Sequence, residues 1–415
     1  MIFPIFSMLA VILFFNVAPV NVTEANVSTS KILNEINFWT NKKTNAPEQY
    51  TYNIPLAAAY SQLFESNARI DDLLMAGHLL EEAISHTPVN SRSGLLRTLA
   101  QHYISRHEFC KAENLMLQAD AIGEGIHEND MIHFDLAMEM GREDQALIYL
   151  KKLAPYNDFQ YLIRRAKWED SKGKLDHAIL WLNDAKKMAE QDKNPSQLYW
   201  IYSNLGDFYG HNKDIAPSML HYNKALDIKE NDWYSRKGML WETYSNEKNY
   251  AATLEGISLL QKESSDPSLL LWKAETSMLL GDRNAYLQGI NEFINITSSP
   301  KYGNMYRAYL SDIYCRKGTY RPDIALQLAM EEIQERPTPE SYSLLVQALY
   351  HQGKIEKAVS LAQMHVLHRT QEPKALLRLK NIEALGPETQ EKITAALNEA
   401  EYELGPFLVN QSSNL

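Results

Sequence analysis

A few groupings in the sequence have residue types that support chemistry. His365 and His368, in QMHVLHRT, are three apart on a predicted helix, a spacing at which two imidazoles can share a metal. No third ligand accompanies them, so the spacing predicts exposed polar residues near a helix end. Ser28 and Lys31 match the Ser-x-x-Lys spacing of an activated serine, but they lie in a polar segment with no folded pocket around it. The adjacent acids Glu331 and Glu332 project about 100° apart on a helix, which suits a solvated face better than an acid–base pair. His102 and His107 fall in a helix and in the turn after it. Phosphate-binding loops, nucleophile elbows, His-Glu-x-x-His and Cys-x-x-Cys are all missing from the sequence. The expectation is a non-enzymatic chain with no cofactor and no metal.

Composition narrows the class further. The formal charge is −11, from 52 acidic and 41 basic residues. No basic run is long enough to follow a phosphate backbone, which argues against a nucleic-acid partner. Hydrophobic residues make up 45% of the chain, as in folded proteins generally. At 415 residues the chain exceeds the roughly 250–300 that one core supports, so it holds either several domains or a repeat array. Cys110 and Cys315 lie about six units apart in a repeating helical pattern, too far for a bond that needs Cα atoms within about 7 Å. Two free thiols are expected.

The opening MIFPIFSMLAVILFFNVAPV carries no charged side chain and is succeeded by polar NVTEANVSTSK. Residues 1–25 are read as an export signal, either a cleaved signal peptide or an uncleaved membrane anchor. No Lys or Arg precedes the apolar run, a departure from the usual pattern. The expected location is periplasmic, in the cell envelope or secreted, with membrane contact only through this leader. Residues 26–54, with NFWTNKKTNAPEQYTY, are read as a linker containing a short helix, Trp39 packing on the first repeat unit.

From Pro55 the chain is a succession of paired helical patterns, with apolar residues at intervals of three and four and a polar break between the halves. The units align on a small residue in the first helix, a large one three places later and often an Ala early in the second. Examples are Leu99-Ala100, Tyr103 and Ala112; Leu205-Gly206, Tyr209 and Ala225; and Leu345-Val346, Leu349 and Ala358. A small residue lets two helices cross closely, and the large ones fill the groove beside it. The residue after each small position gives Gln101, Met138, Lys167, Asp207, Glu242, Glu275, Asp312 and Gln347, with spacings of 29 to 40 and a mean of about 35. This pattern resembles the tetratricopeptide repeat, whose period is 34. The resemblance implies an all-α, right-handed superhelical solenoid of antiparallel helix pairs, with about nine repeats over residues 55–370. Residues 371–415 are read as a capping helix and tail, GPETQEKITAALNEAEYEL forming one mostly polar helix.

In that family the first helices line a concave groove that holds segments of other proteins. Carried over by position, the residue after each small one points inward. Asp207, Glu242, Glu275 and Asp312 then form an acidic stripe in four successive repeats, with Lys167 before it, Arg316 near its end and Gln347 beyond. Charges about 10 Å apart add their fields, so the expected partner is a protein with a basic or polar segment. Of the seven Trp, six lie between Trp168 and Trp272 and are read mainly as core, with Trp200 facing the groove. The second reading is capture of a solute or glycan by aromatic stacking in this Trp-rich region.

Overall fold

In the computed structural model, which describes residues 29–413, every regular element is a helix. The leader read over residues 1–25 lies outside the described residues. Among those described, no helix is long and apolar enough to cross a membrane.

Helix α1 (Thr29–Asn45) is longer than the short linker helix expected. It buries Ile32 and Ile36 and brings Trp39 against the cluster of Leu56, Ala59 and Leu63. Nine helix pairs succeed it. They are α2 (Asn53–Asn67) with α3 (Ile70–His86), α4 (Ser93–Ser105) with α5 (Phe109–Ile122), and α6 (Ile126–Glu139) with α7 (Glu143–Leu153). Then come α8 (Phe159–Ser171) with α9 (Leu175–Asp192), α10 (Pro195–His211) with α11 (Ile215–Ile228), and α12 (Trp233–Ser245) with α13 (Tyr250–Glu263). The last are α14 (Ser268–Leu279) with α15 (Arg283–Thr297), α16 (Arg307–Ile313) with α17 (Pro322–Glu335), and α18 (Pro339–His351) with α19 (Ile355–His365). Beyond them lie α20 (Pro373–Leu379), α21 (Pro387–Glu399) and α22 (Glu401–Ser413).

Local chemistry sets these boundaries. Asn194 Oδ1 accepts from the Ser196 and Gln197 amides ahead of Pro195, and Thr338 caps α18 ahead of Pro339. The small crossing residues Ala100, Ala137, Ala166, Ala274, Ser311 and Val346 are all buried, where neighbouring helices approach. Gly206 serves the same end: a Cβ there would stand 2.5 Å from the Tyr222 ring, which also fills the space beside Gly238. Two glycines thus form the slot in which α11 docks an aromatic ring on α10 and α12.

The stack winds tightly enough to touch itself. The Ser265 amide, between pairs six and seven, donates to the Asn67 carbonyl in the turn of pair one at 2.7 Å. The Asn304 amide, between pairs seven and eight, donates to Arg106 O in the turn of pair two at 3.0 Å. Arg336 Nε, between pairs eight and nine, donates to Glu139 O at the end of α6 in pair three at 3.2 Å. The offset in pair number is the same each time, so the early turns form a continuous seam with the late connections. Phe64, Ile70 and Leu73 accordingly share a core with Trp233, Trp272 and Leu269.

The carboxyl-terminal segment departs from the expected polar cap. GPETQEKITAALNEAEYEL does not form one helix: it forms α21 and the start of α22, whose own course is broken at Gly405, with φ 76° and ψ 160°, before Pro406. Glu403, Leu404, Phe407 and Leu408 are buried. The break turns two apolar runs onto one surface, and that surface is the interior of the superhelix.

Candidate functional site

Four of the sequence-predicted positions come together. Lys167 on α8, Glu275 on α14, Asp312 on α16 and Arg316 just after it all border one cavity of about 680 Å³. Trp272, Tyr309, Arg336, Tyr342, Lys374 and Arg378 complete the wall, and Leu408 of α22 borders it as well. Because the superhelix meets itself, residues from pair three and pair nine face each other across this space.

Its charges are interlocked. Arg316 Nη1 donates to Glu275 Oε1 at 2.8 Å and its Nη2 to Asp312 Oδ2 at 3.1 Å. Arg378 Nε reaches Asp312 Oδ1 at 3.2 Å, and its Nη1 reaches Ser343 Oγ at 3.0 Å. Burial opposes the Asp312 charge, but the Arg378 and Arg316 guanidiniums outweigh it and hold the carboxyl at about 2. Burial likewise opposes the Arg316 charge, and Glu275 and Asp312 override it. Across the cavity Glu139 accepts from Lys167 Nζ at 3.0 Å and lies 3.4 Å from Arg336 Nη2. Burial is again outweighed, first by Lys167 and then by Arg336, leaving Glu139 at about 2.

The remaining inward positions are not on this wall. Asp207 is 8% exposed and accepts from the Tyr222 and Tyr234 hydroxyls, each at 2.5 Å. Burial dominates over both donors and pushes its carboxyl up to about 7. Glu242 is buried and accepts from the Tyr402 hydroxyl of α22. Gln347 lies on α18 with its Oε1 buried and unpartnered among the described residues. The open acidic stripe is therefore corrected: its carboxylates take hydroxyls and guanidiniums of the chain itself, because close helix crossing leaves Asp207, Glu242 and Glu275 buried and Asp312 half-buried.

Trp200 also departs from expectation. It is buried, edge-on to Phe159 with ring centroids 5.9 Å apart, in the core of pairs four and five. Trp233, Trp241 and Trp272 are buried too, so these rings offer no exposed stacking surface. His365 stacks flat on Tyr342 at 3.8 Å. His365 ends α19 and His368 lies in the turn beyond it with φ 61°. Among the described residues no three His, Cys, Asp or Glu side chains are placed to hold a metal. Cys110 and Cys315 are both free, the first exposed and the second buried.

Residues 401–409, which no sequence motif marks as part of a site, occupy the inner face. Their seat is made by α12, α14 and α20. The Tyr402 carbonyl accepts from Trp241 Nε1 at 3.2 Å and from Ser245 Oγ at 2.5 Å. The Phe407 amide donates to the Tyr244 hydroxyl at 3.3 Å, and the Phe407 ring packs on Tyr286 at 5.7 Å. Arg316 lies over the other side of the site, 5.5 Å from the Phe407 ring centroid. The available signal was Gly405-Pro406 and then Phe-Leu-Val, an apolar run beyond a polar helix.

Three solved structures show a partial likeness to the chain. No family model and no curated sequence matches it. PilF of Pseudomonas aeruginosa is similar over 52% of this chain and 96% of that one, at 14% identity and a TM-score of 0.37. YrrB, described as a TPR protein with an unusual peptide-binding site, is similar over 48% and 95%, at 14% identity and a TM-score of 0.28. The human IFIT1 dimer with PPP-AAAA is similar over 81% and 77%, at 15% identity and a TM-score of 0.44. The fold itself, read from the chain's own elements, is an all-α stack of helix pairs.

Proposed function

We propose that this chain is a non-enzymatic protein-interaction scaffold that holds a short segment of a partner protein against its inner helices. The observation that carries the reading is the cavity of about 680 Å³, which lies where the inward-facing positions Lys167, Glu275, Asp312 and Arg316 converge. Its size falls within the roughly 300–1,000 Å³ of ligand sites, and its wall offers both signs of charge with Tyr309 and Tyr342 between them. A polar segment suits such a wall. The basic segment anticipated from the acidic stripe draws no support from Asp207, Glu242, Glu275 or Asp312, whose carboxylates have partners within the chain. Export to the envelope or beyond it belongs to the same proposal, supported by the uncharged opening of the sequence.

Ala308 borders the cavity, and Ala308→Trp fills part of it while leaving the ion pairs untouched. Partners captured from a native envelope fraction by the parent chain are expected to be lost from Ala308→Trp when both melt at the same temperature. Equal capture by both would remove the cavity from the reading.

A further inference from the structure

The seat of residues 401–409 has the attributes of a peptide site. Three of its hydrogen bonds go to the main chain of the segment: Trp241 and Ser245 to the Tyr402 carbonyl, and Tyr244 from the Phe407 amide. Main-chain recognition of this kind accepts any segment of the right shape, and side-chain pockets then select among them. Two pockets do so here. The Tyr402 hydroxyl donates to Glu242, and the Phe407 ring lies against Tyr286 and beneath Arg316. Between them Gly405 takes a left-handed φ of 76° in contact with Trp241 and Tyr244, which lets the segment turn without a side chain in the way.

We propose that the inner face of α12 and α14 is a peptide-binding site, occupied from within the chain by residues 401–409, and that a partner segment carrying Tyr-x-Leu-Gly-Pro-Phe or its chemical equivalent takes their place. The inference rests on the scaffold reading and specifies its partner: a phenol, a Gly-Pro bend and an aromatic ring three residues past the leucine.

The resident segment is an imperfect ligand, which makes it displaceable. Glu403 is only 7% exposed, and its Oε1 has no hydrogen-bond partner among the described residues. Its desolvation is uncompensated at that oxygen, a cost that a partner with an apolar residue at this position avoids. The outer attachment is slight: the Lys248–Glu401 pair at 3.2 Å is more than half exposed on both sides, and such pairs hold little.

The test uses the full chain and a fluorescent peptide of residues 400–413. The peptide is expected to bind Phe407→Ala, in which the resident segment is loosened, at least tenfold more tightly than it binds the parent. A peptide carrying Tyr402→Ala and Phe407→Ala should bind neither, and one carrying Glu403→Leu should bind more tightly than the native peptide. Equal binding to parent and variant, or none to either, would overturn the proposal, as would a Phe407→Ala dimer formed by exchange of segments between copies.

Should Phe407→Ala fail to fold, hydrogen exchange on the parent decides. Amides 401–410 are expected to open while α12 and α14 stay protected, whereas exchange of all three together would make the segment permanent core. Failure here leaves the scaffold reading standing, since the Ala308→Trp comparison reads the cavity and not this seat.

Discussion

At the scale of single residues, the inner positions trade solvent for partners within the chain, and their titration records it. The Asp207 carboxyl ordinarily titrates near 3.8 and is pushed up to about 7 by burial. Between those values the folded chain holds a proton that the unfolded chain has released, so this group makes stability fall as pH rises from about 4 to about 7. Asp207→Asn removes the effect. The melting temperature of the variant relative to the parent is expected to climb between about pH 4 and pH 7, and a flat difference in calorimetry would show Asp207 ionised in the fold. Asp312 and Glu139 run the other way: with carboxyls held at about 2, their stabilisation is complete above their ordinary values and is lost as pH falls towards 2. Arg316 joins Asp312 to Glu275 with its side chain 9% exposed. Arg316→Met leaves Glu275 and Asp312 without it and is expected to cost about 3–5 kcal/mol in urea unfolding. Arg316→Lys should recover only part, because an ammonium lacks the planar fork that reaches both carboxylates.

At the scale of elements, the helix pairs were legible because most carry their own evidence: a small crossing residue, a large neighbour and a polar turn. Segment 401–409 was not. Gly405-Pro406 signals a bend, but nothing local says that Phe407 and Leu408 turn inward, since their apolar partners Tyr244 and Tyr286 lie well over a hundred positions earlier. Gly405 offers a direct check. A Cβ there would stand 2.9 Å from ring atoms of both Trp241 and Tyr244, on a backbone that side chains rarely adopt. Gly405→Ala is expected to cost about 1–3 kcal/mol of docking and to expose residues 401–410 to limited proteolysis, with helix content elsewhere unchanged. Proteolysis at the parent's rate would mean that the seat tolerates the methyl.

At the scale of the whole molecule, the seam changes how the solenoid behaves. An open repeat array couples only neighbouring units, whereas this one also joins units far apart in sequence through Asn67–Ser265, Arg106–Asn304 and Glu139–Arg336. Arg336 is the most committed of these contacts, reaching the Glu139 carbonyl and carboxylate and lying 3.9 Å from Glu332. Arg336→Gln is expected to cost about 3 kcal/mol and to raise hydrogen exchange in both the α6–α7 turn and the α17–α18 connection, while α10 and α11 are unaffected. A change confined to α17 and α18 would show that the seam carries no coupling.

The helix pairs, their number and the placement of Lys167, Asp207, Glu242, Glu275, Asp312 and Gln347 on first helices were legible in local periodicity, because helix spacing and crossing residues are short-range properties. What those inward side chains do was decided only by tertiary structure. An acid on an inner face reads as available charge until the superhelix closes and brings a guanidinium from two helices away or a phenol from the far end of the chain. Such pairings depend on the pitch of the stack, which accumulates from many small crossing angles and is written in no single repeat.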